Sequence, residues 1–156
     1  MATTNDIYTQ QKNHQLSILE NPFVISKIRE CLSTVSGIDT FNDVFEDIRK
    51  YTELARSEGV LALSKHKVAN EIINEFVELL IGSVMDYASV QQEKGVYIDF
   101  EYIEWSVFII MPKILYSDLA PIDFVKTVLL YESLIMSITG FNSTWIERRL
   151  NGIIRK

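Results

Sequence analysis

The sequence predicts an all-α protein, a single-domain helical bundle of about six helices. Glycine and proline are sparse, with six and three copies in 156 residues, so the chain lacks the punctuation that many short strands require. Apolar residues recur three and four positions apart along most of its length, the period of a helix with one buried face. Hydrophobic residues make up 47% and charged residues 23%, an ordinary globular balance that supports a core without disulfides or metal.

The first stretch, from Met1 to about His14, is polar and unpatterned. Residues 1–20 are read as a flexible polar tail and 21–156 as the helical domain. The first helix is predicted from Pro22 to about Val35, with Asn21 as N-cap and Pro22 at the first helical position. Ser36 and Gly37 end it. A second helix follows Thr40, with Phe41, Val44, Phe45, Ile48, Thr52, Ala55, Leu61 and Leu63 on one face and Asp43 and Glu46 near the positive end of its dipole. Gly59 falls inside this pattern, at a cost of about 1 kcal/mol relative to alanine, and is expected to admit a close neighbouring helix.

The third helix is predicted from about Val68, with Val68, Ile72, Phe76, Leu79 and Leu80 as its stripe and Glu71, Glu75 and Glu78 on another, solvated face. Gln91 to Gly95 reads as a loop. The fourth helix starts near Asp99. Trp105, Phe108 and Ile109 widen its apolar surface beyond the stripe of Phe100, Ile103, Val107 and Ile110, which predicts burial on most sides. Pro112 is expected to end or kink it. Alternation from Tyr97 to Tyr102 also suits a short strand. Pro121 opens the fifth helix and Gly140 closes it. Asn142 or Ser143 caps the sixth, which carries Trp145, Ile146, Leu150, Ile153 and Ile154.

The formal charge of −6 gives an acidic surface that disfavours nucleic acid. The one cysteine, Cys31, cannot form an intrachain disulfide and fits a reducing, cytoplasmic setting. Met1 to Lys12 has no apolar signal core. The longest unbroken apolar run, Val107 to Pro112, is too short for a bilayer span, so no membrane insertion is expected.

Chemistry is sparse. His14 and His66 have no Cys or second His at ligand spacing, so no metal site is predicted. Glu71, Glu75 and Glu78 lack the Glu-x-x-His pairs that a di-iron bundle needs. Cys31 has no base nearby in sequence and reads as a small buried residue. No glycine-rich phosphate loop is present, and no cofactor is expected. Asn142-Ser143-Thr144 matches a glycosylation sequon, but helix capping is a sufficient reason for it. Trp105 and Trp145 read as core.

Two segments carry a likeness to a known family. Glu53 to Leu63 reads ELARSEGVLAL, and Tyr131 to Leu150 reads YESLIMSITGFNSTWIERRL. The first resembles the cytoplasmic segment of the bacterial flagellar stator family (MotA/TolQ/ExbB), with its Ala-Arg-x-x-Gly-x-x-x-Leu-Glu pattern. The second is similar to that family's post-membrane tail, matching at Gly140, Asn142, Ile146, Glu147 and Leu150. The two occur in family order, with Pro112 and Lys113 about where the family has a proline. The family's membrane helices have no counterpart here, so the resemblance implies a soluble relative without a channel.

The family contacts the rotor switch protein FliG through a charged Arg and Glu of the first segment. The Arg corresponds to Arg56; the Glu position holds Ser64. The family's Asn-Pro-Arg is Asn142-Ser143-Thr144 here.

What the resemblance implies is a non-enzymatic, motility-associated module for protein–protein interaction. Its candidate partner-binding residues are Glu53, Arg56 and Glu58, with the basic pair Arg148 and Arg149 as a second site. Together with Arg155 and Lys156 these basic residues also suit a helix C-terminus. The partner would be a flagellar rotor or stator component, or a second copy of the chain if the second or sixth helix leaves an apolar stripe exposed. Two alternatives stand beside this. One is a small-ligand-binding protein or enzyme with Tyr87, Tyr97, Tyr102, Trp105 and Tyr116 lining an interhelical pocket. The other is a regulatory or phage-type helical protein unrelated to motility.

Overall fold

The structure, a computed structural model, describes residues 16–34, 38–90 and 100–155. Among these every regular element is helical. In chain order they are α1 (Pro22–Thr34), a 3-10 turn (Ile38–Phe41), α2 (Asn42–Ser57), a second 3-10 turn (Val60–Lys65), α3 (Glu71–Val90), α4 (Phe100–Leu115), α5 (Pro121–Ile138) and α6 (Ser143–Ile154). The predicted loop from Gln91 to Gly95, the first half of the Tyr97–Tyr102 alternation and residues 1–15 of the predicted tail lie outside the described residues. Phe100 to Tyr102 are helical.

The caps follow the sequence. The Asn21 side chain accepts from the amides of Phe23 at 2.9 Å and Val24 at 3.3 Å, and Pro22 opens α1. Asn142 accepts from the amide of Trp145 at 2.8 Å, leaving Ser143 as the first residue of α6. Asn70, just before α3, does two jobs. Its oxygen accepts from the Ile73 amide at 3.1 Å, and its nitrogen donates to the Thr127 hydroxyl at 2.6 Å. That second bond fixes the start of α3 against α5.

Helix α5 is the centre of the bundle and packs against α1, α2, α3, α4 and α6. From Phe124 to Ile138 every residue except Lys126 and Ser137 is buried. A helix apolar on all sides belongs inside, and each buried aliphatic or aromatic side chain contributes about 1.5–3 kcal/mol. Its buried hydroxyls donate back along the helix, Thr127 to the Asp123 carbonyl at 2.7 Å and Ser133 to that of Leu130 at 2.8 Å, so they cost little. Around it, α1 contributes Val24, Ile28 and Cys31, and α6 contributes Ile146, Leu150 and Ile154. These are single stripes at helical spacing.

Gly59 is not where a neighbour comes close. Helix α2 ends at Ser57, and Gly59 takes φ 91° and ψ 174° to turn the chain into the second 3-10 turn. A Cβ placed there meets nothing within 4 Å. The glycine is present for its backbone, in a region that L residues with a Cβ avoid. Gly59→Ala is therefore expected to lower stability by about 1–2 kcal/mol, measured by urea unfolding, while Ser57→Ala at the exposed end of α2 has a smaller effect.

Two further expectations need correction and one is narrowed. Residues 16–20 are not a loose tail, because Leu16 and Ile18 are buried in the core. Of the two outcomes expected at Pro112, it does not end α4, which runs three residues further to Leu115. Proline cannot donate to a preceding carbonyl, but its own carbonyl still accepts from the Tyr116 amide at 2.9 Å. Helix α4 is also not buried on most sides. Ile103, Val107, Ile110 and Ile114 face the core, whereas Trp105, Phe108 and Tyr116 are exposed.

Candidate functional site

The two sequence segments that carry the family likeness meet in space. Thr52, Ala55 and Arg56, near the end of α2, line a shallow cleft of about 330 Å³ together with Ser137, Gly140, Phe141, Asn142 and Ser143 from the α5–α6 turn. The turn is held by a helix-ending pattern in which the Phe141 amide donates to the Met136 carbonyl at 3.0 Å and that of Gly140 to Ser137 at 3.3 Å. Gly140 supplies the required positive φ of 93°. Beside it, half-exposed Trp145 lines a second depression with Gly140, Phe141 and Asn142.

Glu53 and Arg56 are exposed on α2, and Glu58 follows the helix, ion-paired with Lys65 at 2.6 Å. Arg49, one turn before Glu53, pairs with Glu147 of α6 at 2.5 Å, which links α2 and α6 on this side. Both partners of that pair are partly solvated, so the bond is worth less than about 1 kcal/mol. Ser64, which the resemblance sets at the acidic position of the family pattern, is exposed and donates to the Leu61 carbonyl at 3.2 Å.

The basic pair does not join this face as a unit. Arg148 and Arg149 sit in the middle of α6, not in its last turn, so they do not serve the helix C-terminus. Arg148 is exposed. Arg149 is half-buried, and its positive charge acts on the carboxyl of Glu132.

Glu132 was not singled out from sequence, although a lone acid in the run Leu129 to Met136 is a visible anomaly. It is fully buried on α5. Its carboxylate accepts from the Ile18 amide at 2.8 Å and from the Ser17 hydroxyl at 3.0 Å. Desolvation dominates and pushes its pKa up to about 7, against the lowering effects of Ile18, Ser17 and Arg149. The neighbouring Tyr131 hydroxyl donates to the Leu16 carbonyl at 2.7 Å. Two adjacent residues of the central helix thus bind the segment Leu16–Leu19 across the bundle. The arrangement is a structural clamp.

Other features are weaker candidates for chemistry. A cleft of about 720 Å³ is lined by charged and polar side chains, among them Asp43, Asp47, Asn70, Lys113 and Lys126, and by apolar ones such as Val44, Val68, Ile72 and Leu119. Asp43 is paired with Lys126 at 2.9 Å, and Lys113 with Glu75 at 2.5 Å. His66 lies 2.7 Å from Asp47 and meets Tyr51 edge-on with centroids 5.3 Å apart. Cys31 is buried, and burial raises its thiol pKa, which disfavours the reactive thiolate. Among the described residues no three His, Cys, Asp or Glu side chains are grouped to hold a metal ion, and no helix is long and apolar enough to cross a membrane. Trp105 and Tyr116 lie on the surface of α4 and line none of these cavities; the side chains of Tyr87, Tyr97 and Tyr102 lie outside the described residues.

Tyr51 is fully buried, yet its hydroxyl has no hydrogen-bond partner among the described residues. Burial, then the charge of Asp47, raises its pKa. An unsatisfied buried hydroxyl costs about 1–3 kcal/mol of desolvation, so Tyr51→Phe is expected to leave stability unchanged or raise it by up to about 1 kcal/mol, as read from thermal unfolding.

Comparison with protein-family models, with curated proteins and with solved structures yields no match. The likeness to the stator family therefore rests on the two short segments alone.

Proposed function

We propose that this chain is a non-enzymatic docking module whose partner is another protein, and that its partner surface is the face formed by the end of α2 and the α5–α6 turn. The observation that carries this reading is the cleft in which Arg56 stands beside Gly140–Ser143, uniting two segments about 80 residues apart that each resemble a stretch of the stator family. Half-exposed Trp145 and the cation Arg56 are the residue types that most often anchor protein interfaces. Glu53 and Glu58 supply charges that tune on-rate and orientation more than affinity.

The partner proposed is a flagellar rotor or stator component in the cytoplasm, with the switch protein FliG first in line because Arg56 occupies the position of the family's contact arginine. The test is direct titration of the purified chain against that rotor protein. Saturable binding that Arg56→Glu weakens at least about tenfold, with unfolding unchanged, supports the reading. Absence of binding, or equal binding by the variant, overturns it. A second reading, a small-ligand binder, is favoured by the 720 Å³ cleft, whose size and mixed apolar and charged lining suit a small molecule. A metabolite that raises the melting temperature in wild type but not in Lys126→Ala would support that alternative.

A further inference from the structure

The geometry points to a second copy of this chain as the occupant of the outer face of α4, forming a twofold-symmetric dimer. This inference is independent of the docking surface proposed above and uses none of its residues. At 100° per residue, Ile103, Val107, Ile110 and Ile114 form one stripe of α4, and that stripe is buried in the bundle. Trp105, Phe108, Ile109, Pro112 and Tyr116 form a second stripe on the opposite side. Tyr116 extends it past the helix end because its amide still bonds to the Pro112 carbonyl.

Three large aromatic side chains on this line are 50%, 79% and 84% exposed, for Trp105, Phe108 and Tyr116 in that order. Scattered exposed apolar residues need no reason, but a helix apolar on both sides is normally covered on both. Among the described residues the bundle covers only one, and these three rings keep the exposure just given. Exposed Glu104 and Lys113 flank the outer stripe, the polar rim that accompanies an interface core.

Area selects the occupant. Aromatic side chains of roughly 200 Å² each, exposed to these extents, present about 400 Å² per chain, and Ile109 and Pro112 bring the stripe to about 500 Å². Pairing the stripe with itself removes about 1,000 Å² in total, the lower bound for a specific interface. A straight stripe about 17 Å long, spanning residues 105 to 116 at 1.5 Å per residue, is self-complementary when two copies lie antiparallel across a twofold axis near its middle, between Ile109 and Pro112. Aromatic rings then meet aromatic rings at both ends.

Sedimentation or light scattering over about 1–200 µM tests this. The wild-type mass should rise from 18.0 kDa toward twice that value. Phe108→Glu and Tyr116→Lys should each raise the dissociation constant by about thirtyfold or more. Because both side chains are exposed, these variants should melt as the monomer does. Phe23→Glu, at an exposed position of α1, should dimerise like wild type. A wild type that stays monomeric throughout overturns the proposal, including the case in which it instead binds lipid vesicles through Phe108. Dimers that form equally well in Phe108→Glu also overturn it, since they use another surface.

Discussion

Raising the pH from 4.5 to above 7 is expected to cost the fold about 3 kcal/mol through Glu132 alone. In the unfolded chain this carboxyl titrates near its ordinary 4.5, and in the folded protein burial moves it to about 7. Below pH 4.5 both states hold the proton and the full stability is present. Between the two values the unfolded chain releases its proton while the folded chain keeps it, so stability falls with each unit of pH. Above pH 7 both are ionised and the loss is complete. At 1.36 kcal/mol per pKa unit the span amounts to about 3 kcal/mol, a large share of a normal folding free energy. Other titrating groups add their own pH dependence, so the comparison that isolates Glu132 is with Glu132→Gln. Glutamine keeps an acceptor for the Ile18 amide and stays neutral. Urea unfolding at pH 5 and pH 8 should show the wild type losing more stability than the variant by about 3 kcal/mol. Equal losses would mean that Glu132 does not carry its proton into the folded state.

Tyr131→Ala is expected to destabilise the protein by about 4 kcal/mol. The ring is fully buried, stacks on Phe76 at 5.1 Å between centroids, and its hydroxyl donates to the Leu16 carbonyl at 2.7 Å. Alanine leaves a cavity at the centre of the bundle and an unpaired carbonyl at its edge. Tyr131→Phe separates the two terms, because it keeps the ring and removes only the hydroxyl. Its expected cost is about 1–2 kcal/mol. Chemical unfolding of both variants checks the split. If phenylalanine costs as much as alanine, the clamp on Leu16 and not the ring packing holds this part of the core together.

These two residues also explain the treatment of the segment before α1. Polar residues at positions 9–15 and the absence of a helical period make the N-terminal stretch read as a tail, and nothing in Leu16, Ser17 and Ile18 marks them as core. They are buried because the central helix offers a carboxylate and a phenol 114 and 115 positions further on. Glu132 in turn stands in an otherwise largely apolar stretch of helix, with no cation within one turn of it in the sequence. A local pattern cannot pair groups so distant; only chain closure does.

The sequence by itself determined that this is a helical bundle, and it placed most helix starts, because caps and apolar period act within a few residues. Asn21, Pro22, Pro121, Gly140 and Asn142 all act where their chemistry predicts. The tertiary structure alone decided which apolar faces find a neighbour. Helix α5 is buried all round and α4 on one side only, although both read as broadly apolar, because burial depends on what stands beside a helix and not on its own residues. The same holds for the candidate docking face, where Arg56 meets Gly140–Ser143 only after α2 and α6 have packed on α5.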